Sequence, residues 1–282
     1  MDQDNIVLKG VDMEFSVLMS VYCKENAEHL RQSLTSVIEQ TVKPNEIIII
    51  KDGKLKPDLD CVIEEFESLY PRLFKIFSFE ENRGLGYALN FGVINSSYEI
   101  IARMDSDDIC VSDRFEKQLN CLLNNKDVDM VGGIIAEFEH DIKNIISLRD
   151  VPINYKDITK YIKKRNPFNH MTVMYRRDAV LKAGNYQHFM FNEDYYLWCR
   201  MIFNNSKMIN IPEVIVYART GSEMFKRRGG LRYAIQDIKL QREMFNLKLI
   251  GKGELITNCI LRVFVRMMPN RIRKIIYLKA LR

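Results

Sequence analysis

Four short apolar runs, each followed by a segment of helical spacing, constrain this chain more than any other feature. Phe15-Ser16-Val17-Leu18-Met19-Ser20-Val21 reads as a buried strand, and Ala27, Leu30, Leu34, Val37 and Ile38 then recur at helical intervals. Pro44-Asn45 breaks that helix. Glu46-Ile47-Ile48-Ile49-Ile50-Lys51 follows as a second strand, ending on the turn signal Asp52-Gly53. A helix over 59–70, a strand over 73–79, a helix over 84–95 and a strand over 98–104 continue the alternation. Such alternation predicts βαβ crossovers, and hence an α/β protein with a mainly parallel sheet and helices on both faces. Ligands bind these sheets at the carboxyl ends of the strands. Asp52 and Asp105 both fall there, so one pocket could hold both.

Past one further strand the pattern turns irregular. A strand is predicted over 128–135, a hairpin over 136–148 and a strand over 172–175. A helix opens at Glu193-Asp194, with acids in its first turn as the helix dipole favours. Leu231, Ala234, Ile235, Ile238, Phe245 and Leu249 mark a long amphipathic helix.

Bulk properties narrow the classes. With 282 residues, 47% hydrophobic and 28% charged, the chain can bury a substantial core, and dominant disorder is excluded. No apolar run reaches the roughly 18 residues of a spanning helix. The acidic start Met1-Asp2-Gln3-Asp4-Asn5 is not expected to be a secretory signal. Six cysteines without a C-x-x-C pair predict reduced core thiols rather than zinc ligands. The formal charge of +5 is uneven: residues 251–282 hold eight basic side chains against Glu254 alone.

The strongest chemical signal is Asp105-Ser106-Asp107-Asp108, directly behind the apolar run ending at Met104. Carboxylates at a strand end suit a hard divalent cation, whose remaining ligands are often substrate phosphates and water. The same residues also read as an Asp-rich turn capping a helix near Ser112-Asp113. A second acidic pair, Glu193-Asp194, stands far downstream beside Tyr195, Tyr196 and Trp198, the last expected to be core packing. No P-loop, dinucleotide fingerprint or G-x-S-x-G elbow is present. Two acidic groups on an α/β sheet suit transfer of a group carried on a diphosphate. A cation would neutralise the leaving group, and a carboxylate would take the proton of the attacking hydroxyl. A sugar nucleotidyltransferase is an alternative, but the Gly-rich basic loop it needs is missing from 20–29. A non-catalytic assembly scaffold would leave the two acidic groups without a shared task.

Several short motifs in order carry a resemblance: residues 16–22, Asp52-Gly53, 82–90, 102–108, 169–174, 192–198 and Arg227-Arg228-Gly229-Gly230. On these the chain resembles an inverting glycosyltransferase of family 2 with the GT-A fold. It is similar in particular to bacterial enzymes that extend O-antigen, capsule or amylovoran-type exopolysaccharide units. The resemblance implies a Rossmann-like, mainly parallel sheet flanked by helices, with a catalytic domain over 1–235 and a helical, basic segment over 236–282. It also implies a UDP-sugar donor and Mn²⁺ or Mg²⁺. The hexose, glucose or galactose foremost, would pass to GlcNAc or GalNAc on a polyprenol diphosphate with a β linkage. No nucleic-acid partner is expected.

Residue roles follow from the same resemblance. Val21, Tyr22 and Glu25 would line the nucleotide edge, Asp52 would read the uracil, and Arg83 would close over base or phosphate. Asp105 would touch ribose or a water on the metal, and Asp107 would bind metal and diphosphate, with Asp108 as a supporting or capping group. Asp194 is favoured as base and Glu193 as the holder of the acceptor hydroxyl, the roles being exchangeable. His170, Arg227 and Arg228 are candidates for diphosphate contact, in a positive cluster that includes Arg219 and Lys226. The tail stripe Ile256, Ile260, Val263, Phe264 and Met267, with Arg262 and Arg266 beside it, predicts an interfacial helix on anionic lipid. The location expected is the cytoplasmic face of the bacterial inner membrane.

Overall fold

Alternation of Phe15, Val17, Met19 and Val21 with Leu18 shows how the sheet is seated. The first four enter one core cluster, with Leu30, Leu34 and Leu59, while Leu18 enters another, with Leu89, Val93 and Trp198. Period-two side chains on a strand buried on both faces give this division. The structure, a computed structural model, describes residues 13–221 and 229–269. Arg227, Arg228, Lys226 and the tail beyond Pro269 therefore lie outside the described residues.

The parallel half consists of β1 (Phe15–Val21), β2 (Glu46–Lys51), β3 (Phe74–Ser78) and β4 (Ile100–Arg103), in spatial order 3-2-1-4. Helices α1 (Ala27–Ile38), α2 (Pro57–Leu69) and α3 (Leu85–Asn95) are its crossovers. Asn26 caps α1 through its side chain, and Pro57 sits where a helix start tolerates it. Beyond β4 the sheet becomes mixed. It continues with β5 (Ile109–Cys110), β6 (Met130–Phe138), β7 (Ile145–Arg149), β8 (Met174–Arg176) and β9 (Met208–Arg219). Strand β8 runs antiparallel to both β4 and β6, β9 lies parallel to β6, and β6–β7 form the expected hairpin. The strand expected over 172–175 begins later, because His170–Thr172 forms a short 3₁₀ turn first.

Helices α4 (Arg114–Asn124), α5 (Tyr155–Tyr161), α6 (Arg177–Lys182) and α7 (Glu193–Phe203) complete the central body. Two longer helices, α8 (Leu231–Asn246) and α9 (Lys252–Met267), pack as an antiparallel pair. Their order is fixed by Gly230 N–H donating to Arg266 O at 3.0 Å and by Asn258 Nδ2 donating to Gln241 Oε1 at 2.8 Å. Two expectations change here. The boundary at 235/236 falls inside α8, whose Leu240 and Met244 belong to the central core. Arg262 and Arg266 do not face outward as lipid-binding cations but close on the fully buried Asp237, at 3.2 and 2.7 Å. The thiols also divide: Cys110 and Cys199 are buried, whereas Cys23 and Cys61 are exposed. Trp198 is wholly buried, as expected of a core residue.

Candidate active site

The acidic loop after β4 is fixed by α1 and by the end of β9. Ser33 Oγ on α1 donates to Asp105 O at 2.8 Å, and Arg219 Nε at the end of β9 donates to Asp107 O at 3.1 Å. The Arg219 backbone N–H donates to Asp108 Oδ1 at 2.7 Å, and its guanidinium also reaches Gln32 Oε1 at 2.7 Å. Asp108 therefore ties the loop to β9 and does not cap α4, whose N-cap is Asp113. Arg219, a member of the positive cluster expected from the sequence, thus braces this loop.

Carboxylate oxygens of Asp105, Asp107 and Asp108 all lie within 4.8 Å of one another. Burial, then the Asp105 charge, pushes Asp107 up to about 6, while Arg103 and Arg219 pull it down. Burial and both neighbouring aspartates hold Asp108 well above the usual carboxylate range. Asp108 Oδ2 is buried without a hydrogen-bond partner. Three crowded acids with an orphaned acceptor are a donor set that a hard cation would relieve, so the residues present fit Mg²⁺ or Mn²⁺.

Arg103 is the residue that joins this cluster to the second acidic pair. Only 2% exposed, it ends β4 and forms an ion pair with Asp105. Its charge also acts on Asp107, Asp108, His170 and Asp194. An arginine inside an apolar strand was the sequence signal for such a hub, since a buried cation requires a partner.

Glu193 and Asp194 form the first turn of α7. Burial, with the Asp194 charge beside it, raises Glu193 to about 7. Burial also raises Asp194, opposed by the Tyr195 N–H, Asn166, Arg149 and Arg103. Asn166 Nδ2 donates to Asp194 Oδ2 at 2.6 Å, a partner that nothing in the sequence announces. Glu193 in turn touches the start of α3: a Cβ on Gly86 would stand 2.9 Å from Glu193 Cγ. Glycine at 86 is what lets the two helices meet there.

The remaining candidates are placed as follows. Val21 ends β1 and accepts the Asp52 N–H at 2.8 Å, so the ends of β1 and β2 adjoin, and Tyr22 accepts from the Glu25 N–H at 3.1 Å in the turn that follows. Asp52 is braced against the loop that precedes α3. Its Oδ1 accepts the Arg83 N–H at 2.7 Å, and its Oδ2 accepts the Gly84 N–H at 3.0 Å and Asn82 Nδ2 at 2.9 Å. Gly84, at φ +89°, adopts a backbone open chiefly to glycine, which brings that N–H to the carboxylate. The Arg83 guanidinium lies over the Tyr87 ring, 3.4 Å from its centroid, and is hydrogen-bonded to the Tyr87 hydroxyl. His170 Nε2 meets Tyr186 Oη at 3.0 Å, with the Trp198 ring beside it. Burial, and then the nearby Arg103, hold its pKa well below the usual value.

Comparison with known proteins agrees with this architecture. The model of "Glycosyl transferase family 2" matches residues 16–184. The chain is 38% identical to the Escherichia coli "UDP-Gal:alpha-D-GlcNAc-diphosphoundecaprenol beta-1,3-galactosyltransferase", covering 95% of this chain and 97% of that protein. It is 37% identical to the "Amylovoran biosynthesis glycosyltransferase AmsE" of Erwinia amylovora, over 94% of this chain and 98% of that one. Among solved structures, the mannosyltransferase PcManGT from Pyrobaculum calidifontis, in complex with GDP-Man and Mn²⁺, superposes with a TM-score of 0.63 at 14% identity. That match covers 92% of this chain and 72% of the other and shows a shared GT-A fold.

Proposed function

The chain belongs to glycosyl transferase family 2, and from that premise we propose that it transfers a hexose from a UDP-sugar to a sugar on a polyprenol diphosphate. Galactose and glucose are the first candidates, given the galactosyltransferase at 38% identity. The observation that carries this reading is the crowded set of Asp105, Asp107 and Asp108 at the end of β4, with Asp105 ion-paired to the buried Arg103.

Asp107 and Asp105, with Asp108 behind them, would hold Mn²⁺ or Mg²⁺. When bound, the cation would supply charge neutralisation for the departing diphosphate. Val21, Tyr22 and Glu25 would flank the nucleotide, Asp52 would read the uracil from beside the 82–84 loop that it braces, and Arg83 would close over base or phosphate. Asp194 would accept the proton of the acceptor hydroxyl as its oxygen bonds to the sugar C1 and the C1–O bond to UDP breaks. One displacement of this kind turns an α-configured donor into a β linkage. Glu193, partly protonated near neutrality, would hydrogen-bond the acceptor, whereas Asp194 has donors that favour its ionised form.

A lipid-linked acceptor suits attachment to the cytoplasmic face of a membrane. No helix among the described residues is long and apolar enough to cross one. Ile256, Ile260, Leu261, Phe264 and Met267 on α9 are exposed, as are Leu231, Ile235 and Ile238 on α8. Apolar residues of this kind beside a basic segment support peripheral docking on anionic lipid.

UDP release with a panel of UDP-sugars and a synthetic GlcNAc-diphosphate-lipid tests the reading. Mn²⁺ should support turnover and EDTA should abolish it. Asp107→Ala and Asp194→Asn should each lower kcat by about 10²-fold or more. Turnover that survives in both variants and in EDTA would remove the mechanism.

A further inference from the structure

We propose that Asn166 is the positioning residue for the Asp194 carboxylate, and that helix α9 holds Asn166 in place. The inference rests on the reading of Asp194 as the base.

The orientation of the Asn166 amide is fixed by chemistry. Its Oδ1 accepts the Phe168 backbone N–H at 3.1 Å, and a backbone N–H can only donate. The NH₂ end must therefore face Asp194 Oδ2, 2.6 Å away. A carboxylate with one oxygen pinned cannot rotate freely, and a donor on that oxygen favours the charged form a base requires.

Ahead of Asn166, three successive carbonyls are each taken by a side chain from elsewhere. Ile162 O accepts the hydroxyl of Tyr195, the neighbour of Asp194, at 2.5 Å. Lys163 O accepts Asn258 Nδ2 at 2.8 Å, and Lys164 O accepts Arg262 Nη2 at 2.8 Å. Asn258 and Arg262 belong to α9 and are themselves held by Gln241 and Asp237 of α8. Lys163 Nζ adds an ion pair to Glu254 at 3.4 Å. One turn of α9 thus grips the strap that delivers Asn166. The C-terminal hairpin is part of the machinery that sets the base, in addition to any role on lipid.

Groups whose charge bears on Asp194 are Glu193 and Cys199 on its own helix, Arg103 on β4, Arg149 on β7 and Tyr186. Replacing Asn166 or Asn258 alters none of them, so a moved titration would report the strap itself.

The experiment measures kcat, donor KM and the pH profile of kcat for the full chain. The probes are GlcNAc-diphosphate-lipid and UDP-galactose, or whichever panel UDP-sugar turns over, and the variants are Asn166→Ala, Asn258→Ala and Asp194→Asn. Asn166→Ala should lower kcat roughly 10-fold or more, leave donor KM within about threefold, and move the acid limb to higher pH. Asn258→Ala should move the same limb in the same direction by less. It decides alone should Asn166→Ala fail to fold. An unmoved limb in the folded variants, with Asp194→Asn inactive, overturns the positioning role and leaves the base reading intact. Full turnover in Asp194→Asn overturns both.

Discussion

Arg103 shows how one side chain can set the character of a site. Buried in a strand among apolar neighbours, it compensates Asp105 and lowers the cost of crowding Asp107 and Asp108 nearby. Glu193 has no such cation among the causes of its shift, and its carboxyl rises to about 7. The sign of the resulting linkage is definite. Between the usual glutamate range and about 7 the folded protein binds more protons than the unfolded chain, so stability falls as pH rises through that window. Glu193→Gln should therefore be more stable than the parent at pH 8, by on the order of 2–3 kcal/mol, with the difference closing towards pH 4.5. Thermal melts at several pH values check this, and a pH-independent difference would mean that Glu193 is not held protonated. The acids and their types were legible in the sequence. The lowered pKa of His170 and the inward use of Arg219 were not, since both follow from neighbours distant along the chain.

Pairing of α8 with α9 rests on a charged contact. Asp237 is fully buried between Arg262 and Arg266, and the Arg266 guanidinium also lies 3.9 Å from the Tyr233 ring centroid. Removing one partner from a buried ionic group leaves uncompensated charge. Asp237→Ala should cost about 3–5 kcal/mol in denaturant unfolding, far more than replacing an exposed acid such as Glu65, whose pair with Arg31 lies on the surface. Helical periodicity in the sequence located both elements. It did not reveal that Arg262 and Arg266 face inward, because a stripe of alternating Ile and Arg is compatible with either orientation of the helix. The amphipathic pattern fixes that two faces exist, and the complementary Asp237 on α8 decides which one is covered.

Taken whole, the molecule presents a catalytic edge on one body and exposed apolar residues on its terminal hairpin. Ile260 and Phe264 are 64% and 63% exposed, so substituting them costs the fold little. Ile260→Glu with Phe264→Glu should markedly weaken sedimentation with phosphatidylglycerol vesicles while the melting temperature stays within a few degrees. Unchanged vesicle binding would reject the docking surface. Deleting the hairpin is a poorer test, because α9 holds residues 163 and 164 and covers Asp237.

By itself the sequence determined the parallel half of the sheet, the helices on its two sides and the acids at the strand end. Period-two and helical spacings are local properties, and βαβ connection leaves little choice of topology. Only the tertiary structure decided what those acids meet. Asn166 reaches Asp194 across 28 residues, and the Arg219 N–H reaches Asp108 across 111. Such partners depend on how packed elements bring distant backbone and side chains together, and spacing along a chain does not encode that distance.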